Sequence, residues 1–439
     1  MRSGTVASRY DSSSSRRIAI PETFPLAIDR AYSAPVSAYL NGEDPLPIIV
    51  PDVSGHDATA RGLPAIDQLS LRDRAIVRSS AAADVVLRTA AATMVSTALA
   101  PLALNPWAAR RQREESLFYA DIAAQHDAGV SFPRPTVRPR IVRRRANALA
   151  RNLAHGTVEN LTFESTYTPI NPVMRPTWQG LQRNNIAHAQ HWRHLDGPRP
   201  TLCVIHGFFA SPYLVNSMFF QLPWFYKSGF DVLLYTLPFH GARAERSSPF
   251  SGYGYFSRGM SGFAESMGQA VHDFRIFVDH LESIGVQKVG VTGISLGGYT
   301  SALLATVEDR LQVVIPNVPV TDPATLLDTW FPASSIVEFG RRITGTDRAE
   351  YEAGMAYHSP LNYRPVVARD SRLIITGLGD RLAPPEQSDK LWLHWDKCAL
   401  HWFPGNHIVH ISQPDYLRRM TRFMRRNDFI PDEWRTRVA

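Results

Sequence analysis

From residue 200 onward the chain repeats one unit: a short apolar run, a loop holding glycine or proline, then a helical stretch. The runs are Thr201–Ile205, Asp231–Leu237, Lys288–Thr292, Leu311–Pro316, Arg372–Thr376 and Lys397–Phe403. Most lack the apolar–polar alternation of a strand with one wet face, so they need cover on both sides. The intervening stretches Phe263–Ile284, Leu296–Val307 and Ser412–Arg426 read as helices that supply it. This pattern predicts an α/β fold: a mostly parallel central sheet flanked by helices. Val158–Tyr167 and Ile186–Trp192 precede it as antiparallel strands. In such sheets ligands sit beyond the carboxyl ends of the strands, so the residues just after each run are the place to look for chemistry.

Four motifs stand at such ends. Gly293-Ile294-Ser295-Leu296-Gly297 lies between a strand and a helix. That is the setting of a G-x-S-x-G elbow, where a tight turn lifts a serine clear of the sheet and requires small residues two before and two after it. Ser295 is the candidate nucleophile. The amide of Leu296, at a helix N-terminus, is a candidate oxyanion donor. His206-Gly207-Phe208-Phe209 follows the first run; the Phe208 amide is the second candidate donor, and His206 is expected to hold the loop. Gly377-Leu378-Gly379-Asp380 offers a carboxylate to orient a base, with Asp322 as a rival that is expected to cap the next helix. Gly405-Asn406-His407 offers the base itself, with His410 as the rival. The order Ser295, Asp380, His407 is the order of the triad in α/β-hydrolases.

Residues 200–430 thus resemble the α/β-hydrolase-fold esterases and lipases in the HGF loop, the GISLGG elbow and the GLGDRLAPP acid turn. The elbow with its helix, GISLGGYTSALLAT, also resembles a poorly characterised branch of these hydrolases. The resemblance implies the α/β-hydrolase fold, an acyl-enzyme mechanism, and no metal or organic cofactor. It leaves acyl transfer, peptide cleavage and a non-catalytic scaffold as alternatives to hydrolysis of a small-molecule acyl ester. A serine at the elbow speaks against haloalkane dehalogenases and epoxide hydrolases, which use a carboxylate there.

Residues 321–364 read as a helical cap, with segments Leu326–Phe331, Ser335–Ile343 and Ala349–Ala356. Phe209, Tyr213, Trp330 and Phe331 are the candidate substrate-binding residues, and their character favours an apolar acyl group. Upstream, residues 1–80 are rich in proline, serine, aspartate and arginine and read as irregular. Residues 81–155 read as a helical extension, Ala81–Leu104 and Arg110–Asp127, followed by a basic linker containing Arg138, Arg140, Arg143, Arg144 and Arg145. The catalytic domain is expected over 156–430, with a tail at 431–439.

The length of 439 residues leaves room for both parts. Net charge is +7, carried almost wholly by arginine, as in a GC-rich bacterial genome. We read it as a solvated surface, with no nucleic-acid partner. Thr89–Ala109 has no charged side chain, but its alanines and threonines and its prolines favour a buried or surface-lying helix over a span. Association with a membrane surface through the N-terminal region is the corresponding expectation. Arg2 and Arg9 are not followed by an apolar core, so no secretory signal is read. The two cysteines, Cys203 and Cys398, sit in apolar runs and fit a reducing, cytoplasmic setting rather than a disulfide framework. The oligomeric state is left open.

Overall fold

The computed structural model describes residues 62–146, 155–209, 213, 216, 217, 220–408 and 413–430. Among these, nine strands form one sheet: β1 (Val142–Arg145), β2 (Gly156–Glu164), β3 (Ile186–His194), β4 (Thr201–Ile205), β5 (Asp231–Thr236), β6 (Val289–Ile294), β7 (Leu311–Asn317), β8 (Leu373–Gly377) and β9 (Ala399–Phe403). Their order is β1-β2-β3-β5-β4-β6-β7-β8-β9. Strands β1, β2, β3 and β5 pair antiparallel in succession; every pairing from β5 through β4 to β9 is parallel. The chain reverses direction across the sheet at β4: β5 lies on one side of it and β6 on the other. Such a switch opens a crevice at the strands' carboxyl ends.

The helices used below are α1 (Leu71–Ala103), α2 (Pro106–Ala123), α3 (Leu222–Lys227), α4 (Gly259–Ser283), α5 (Leu296–Leu304), α6 (Pro323–Asp328), α7 (Ala333–Thr344), α8 (Arg348–Ala356), α9 (Pro385–His394) and α10 (Gln413–Arg426). The apolar runs do divide between two faces. Cys203, Ile205, Leu233 and Tyr235 join one core with Phe274, Phe277 and Leu303 of α4 and α5. Leu202, Val204, Val232 and Leu234 join the other with Phe225 of α3 and Met420 and Phe423 of α10. Both cysteines are free and buried, and burial pushes both thiols up, Cys398 to about 12.

Upstream of the sheet, the sequence reading needs correction. Irregular structure was expected to residue 80, yet α1 begins at Leu71, where the Ser70 Oγ accepts a hydrogen bond from Asp73 N. Ser70 is a good N-cap, but the arginines that follow obscure the helical period. The second helix starts at Pro106, behind Asn105, whose side chain caps Trp107 and Ala108. The basic segment is not wholly a linker: Val142–Arg145 is the edge strand β1, with Arg143 paired to Glu159 at 2.8 Å. Charged residues on an edge strand discourage pairing with a further chain. Residues 1–61 of the expected N-terminal region 1–80, and the expected tail 431–439, lie outside the described residues.

Helix α1 is long and apolar enough, by length and composition, to cross a bilayer. In this structure one stripe of it is buried: Val77, Ser80, Asp84, Ala91, Ala92, Val95 and Ala98, at helical spacing. Ala92 and Val95 pack with Ala333 at the start of α7. Thus α1, α2 and the cap helices α6–α8 form a roof over the carboxyl ends of the sheet.

Candidate active site

Ser295 stands between β6 and α5 with φ 57° and ψ −116°. A non-glycine residue in that region costs about 1–3 kcal/mol and persists only where its surroundings impose it. Here they do. A Cβ on Gly293 would lie 2.4 Å from the Gly297 carbonyl oxygen, and one on Gly297 would lie 2.1 Å from the Ile205 carbonyl oxygen. The turn is therefore closed to side chains on both sides of the serine. Ser295 N donates to Asn317 O at 3.0 Å, which ties the elbow to β7.

Phe208 and Leu296 line the same cavity as Ser295. Among the described residues, neither backbone N–H has a hydrogen-bond acceptor. Two unfilled donors beside the candidate nucleophile suit an oxyanion. His206 holds the Phe208 loop, as its place in the motif implied. Its Nε2 accepts from Leu237 N at 3.0 Å and its Nδ1 lies 2.7 Å from Gly207 O. Burial lowers its pKa to about 4, so it is a neutral strut.

Asp380 and His407 come from the turns after β8 and β9. His407 Nδ1 is 2.6 Å from Asp380 Oδ2. An ionised carboxylate only accepts, so Nδ1 carries the proton and Nε2 is the basic nitrogen. The other Asp380 oxygen accepts from Leu382 N and Ala383 N, each at 2.8 Å, which fixes the carboxylate in its own turn. Asp380 has no exposed surface and His407 very little. Burial alone would lower the His407 pKa. The charge and hydrogen bond of Asp380, with the charge of Asp84, outweigh it and hold the pKa above its ordinary value. Of the rivals, Asp322 caps α6 through Thr325 N and pairs with Lys390 at 2.6 Å. His410 lies outside the described residues.

Ser295 and His407 open onto a cavity of about 500 Å³. Its lining is mostly apolar, and about half of it comes from the roof, including Leu99 and Leu102 of α1, Leu326 and Leu327 after the start of α6, and Ile336 and Val337 of α7. Of the four expected substrate contacts, Phe209 and Trp330 line it. The other two expected substrate contacts do not. Tyr213 is turned away, its hydroxyl 3.1 Å from Thr236 Oγ1 and its ring against the core on the α3 face. Phe331 is 67% exposed and outside the cavity. Its neighbour Trp330 takes the inward place, with Nε1 donating to Leu382 O at 3.0 Å. Sequence reasoning missed the α1 and α2 lining, and above all Asp84. The available signal was a lone acid on a face otherwise made of small and apolar residues.

A model of the prolyl oligopeptidase family matches residues 264–427. Uncharacterised proteins from two strains of Mycobacterium tuberculosis are each 30% identical over 264 residues, 56% of this chain and 58% of theirs. The chain thus matches little more than half the length of those curated relatives. Among solved structures, acetyl xylan esterase 1 of a Thermoanaerobacterium species aligns with a TM-score of 0.50 at 17% identity, over 72% of this chain and 98% of that one. At that identity the likeness is one of fold, which by itself does not carry an activity. Sheet topology, family match and fold likeness agree on an α/β-hydrolase fold.

Proposed function

We propose that this protein is a serine hydrolase that cleaves a carboxylic ester, or a thioester, of an apolar acyl group through an acyl-enzyme intermediate. The observation that carries the reading is a strained Ser295 and the 2.6 Å His407–Asp380 pair opening on one apolar cavity. In the first half-reaction Ser295 Oγ attacks the acyl carbonyl carbon and its proton passes to His407 Nε2. The carbonyl oxygen, now negative, faces the Phe208 and Leu296 N–H groups. His407 then gives the proton to the departing alcohol or thiol as the carbonyl bond to it breaks. Water repeats the sequence: its proton goes to His407, its oxygen to the acyl carbon, and Ser295 recovers its proton. Asp380 holds the imidazole in the required tautomer and stabilises its cation.

The cavity volume lies within the range of small-molecule sites, roughly 300–1,000 Å³. Apolar walls favour an alkyl or aryl acyl group over a sugar or a charged peptide. Peptide-bond cleavage is a second reading, favoured by the prolyl oligopeptidase match over 264–427. One set of assays separates them. A fluorophosphonate should label the wild type and spare Ser295→Ala, and acyl esters of increasing chain length should be turned over faster than peptide anilides. Absence of labelling on native wild type sinks both readings; a preference for the anilides sinks the esterase.

A further inference from the structure

Asp84 has no exposed surface, and it comes from α1, far from the other site residues in sequence. Its Oδ2 accepts from two backbone amides: Arg381 N at 2.9 Å and His407 N at 3.1 Å. The first belongs to the residue after the acid Asp380, the second to the base itself. The same helix grips these loops elsewhere. Asn406 Nδ2 donates to Ser80 O at 2.9 Å. A Cβ on Gly379 would lie 2.3 Å from Ser80 Oγ and 3.1 Å from Val77 O, so the acid turn is pressed directly on the helix. Val77 packs with Leu378 and Leu69 in a small core of their own.

As a mere docking contact, Asp84 is a poor choice. No cation pairs with it among the described residues, and its Oδ1 has no hydrogen-bond partner there. The carboxylate of Asp380 is close enough to repel it. An apolar side chain would seat the helix without burying a half-satisfied acid. Burial first, then Asp380, hold its pKa above the ordinary carboxylate range, against the pull of the two amides.

We infer that Asp84 is a positioning residue that fixes the acid turn and the base loop relative to each other, so that α1, a wall of the acyl cavity, also sets the alignment of His407. The inference rests on the serine-hydrolase reading above. Its test uses full-length wild type, Ser295→Ala, Asp84→Ala and Asp84→Asn, with thermal melting, fluorophosphonate labelling rate, and kcat and KM for an aryl ester across pH. Asp84→Ala should lower kcat and labelling rate by about 10- to 100-fold, as small misalignments do, with KM within about threefold. Asp84→Asn keeps a carbonyl oxygen that can accept both amides. It should restore kcat to within about threefold and move the acidic limb of the pH profile lower, because a negative charge that helped hold the His407 proton is gone.

A kcat for Asp84→Ala within about twofold of wild type would overturn the inference. So would an Asp84→Asn protein that melts like wild type yet is as slow as Asp84→Ala. If Asp84→Ala does not fold, Asp84→Asn decides alone: retained kcat with a lowered acidic limb supports the inference, and loss beyond about tenfold overturns it. A wild type that is not labelled at Ser295 removes the underlying hydrolase reading, and this inference with it. A normally labelled wild type beside an equally fast Asp84→Ala removes this inference alone.

Discussion

The sheet side and the roof side of the site are built by different rules. On the sheet side, Ser295, Asp380, His407 and the Phe208 loop each follow a strand end, and those strands pair in the parallel ladder. Their geometry is enforced by close approach of main chain, as at Gly293 and Gly297. On the roof side, α1, α2 and α6–α8 meet through small and apolar side chains such as Ala92, Val95 and Ala333, and about half of the cavity wall is theirs. Under the proposed function, chemistry falls to the sheet side and substrate shape to the roof side. Asp84 is where the two sides meet through hydrogen bonds to the acid turn and the base loop.

The comparison breaks if the sheet-side residues prove dispensable. Ser295→Ala should lower kcat for esters at least about 10⁴-fold with an unchanged circular dichroism spectrum. Activity within tenfold of wild type would mean the nucleophile lies elsewhere. His407→Ala should approach the same loss and far exceed that of His410→Ala; comparable losses, or a larger one at His410, would move the base to the later position.

Asp380→Asn should cost about 10²- to 10⁴-fold, since the amide presents a donor or a weaker acceptor to Nδ1. It also has a pH signature. The base works only when neutral, and Asp380 helps to hold its pKa above the ordinary histidine value. Wild-type kcat/KM should therefore fall as pH drops through a midpoint above about 6.5. In Asp380→Asn, burial is less opposed, and the midpoint of the residual activity should move down. The same shift bears on stability. A histidine whose folded pKa is raised contributes stability that is fully present below its unfolded pKa and is lost as pH rises through the folded one. A titration of kcat/KM and of the melting midpoint from pH 5 to pH 9 reads both; an unmoved acidic limb in Asp380→Asn would detach the acid from the base.

The two sides also differ in how legible they were in the sequence. The strand ends were visible because a strand buried on both faces has to be apolar throughout, and because an elbow serine needs glycines at fixed offsets. Thr201–Ile205 agrees to the residue with β4, and Leu296 is the first residue of α5. The roof was not visible in the same way. Four of its five helices were foreseen within a few residues and α1 was expected to start ten residues later than it does, but what they cover is a tertiary fact. An alanine- and threonine-rich α1 looks alike whether it lies on a membrane or on a cap. Tyr213 and Phe331 show the same limit: aromatic character near a site does not say which way a ring turns. Phe331 points out because Trp330, one residue earlier, has its indole fixed to the Leu382 carbonyl.

Roof-side changes should alter selectivity more than chemistry. Leu99 of α1 lines the cavity, and Leu99→Ala opens room beside it. Each acyl methylene that gains cover is worth about 0.8 kcal/mol, or a factor of about four in kcat/KM. The variant should favour longer esters by that factor per added methylene, up to the new limit, and leave kcat for a short ester within about twofold. An equal fall for every chain length would show that α1 acts on the chemistry through its packing as well as through Asp84.

The sharpest contrast is between two adjacent aromatic residues of the cap. Trp330 lines the cavity and donates to Leu382 O, next to the acid turn, so Trp330→Ala should lower kcat/KM by about tenfold through lost packing and a loosened turn. Phe331 is two-thirds exposed and touches neither the cavity nor the triad. Phe331→Ala should leave kcat/KM within about twofold for every acyl length, the range expected of a surface change away from the site. Steady-state kinetics on the two variants with the same ester series would decide. A Phe331→Ala effect as large as that of Trp330→Ala would mean that the cap turns over during catalysis and brings the outer ring inward, and the division between a fixed sheet side and a shaping roof would have to be redrawn at that residue.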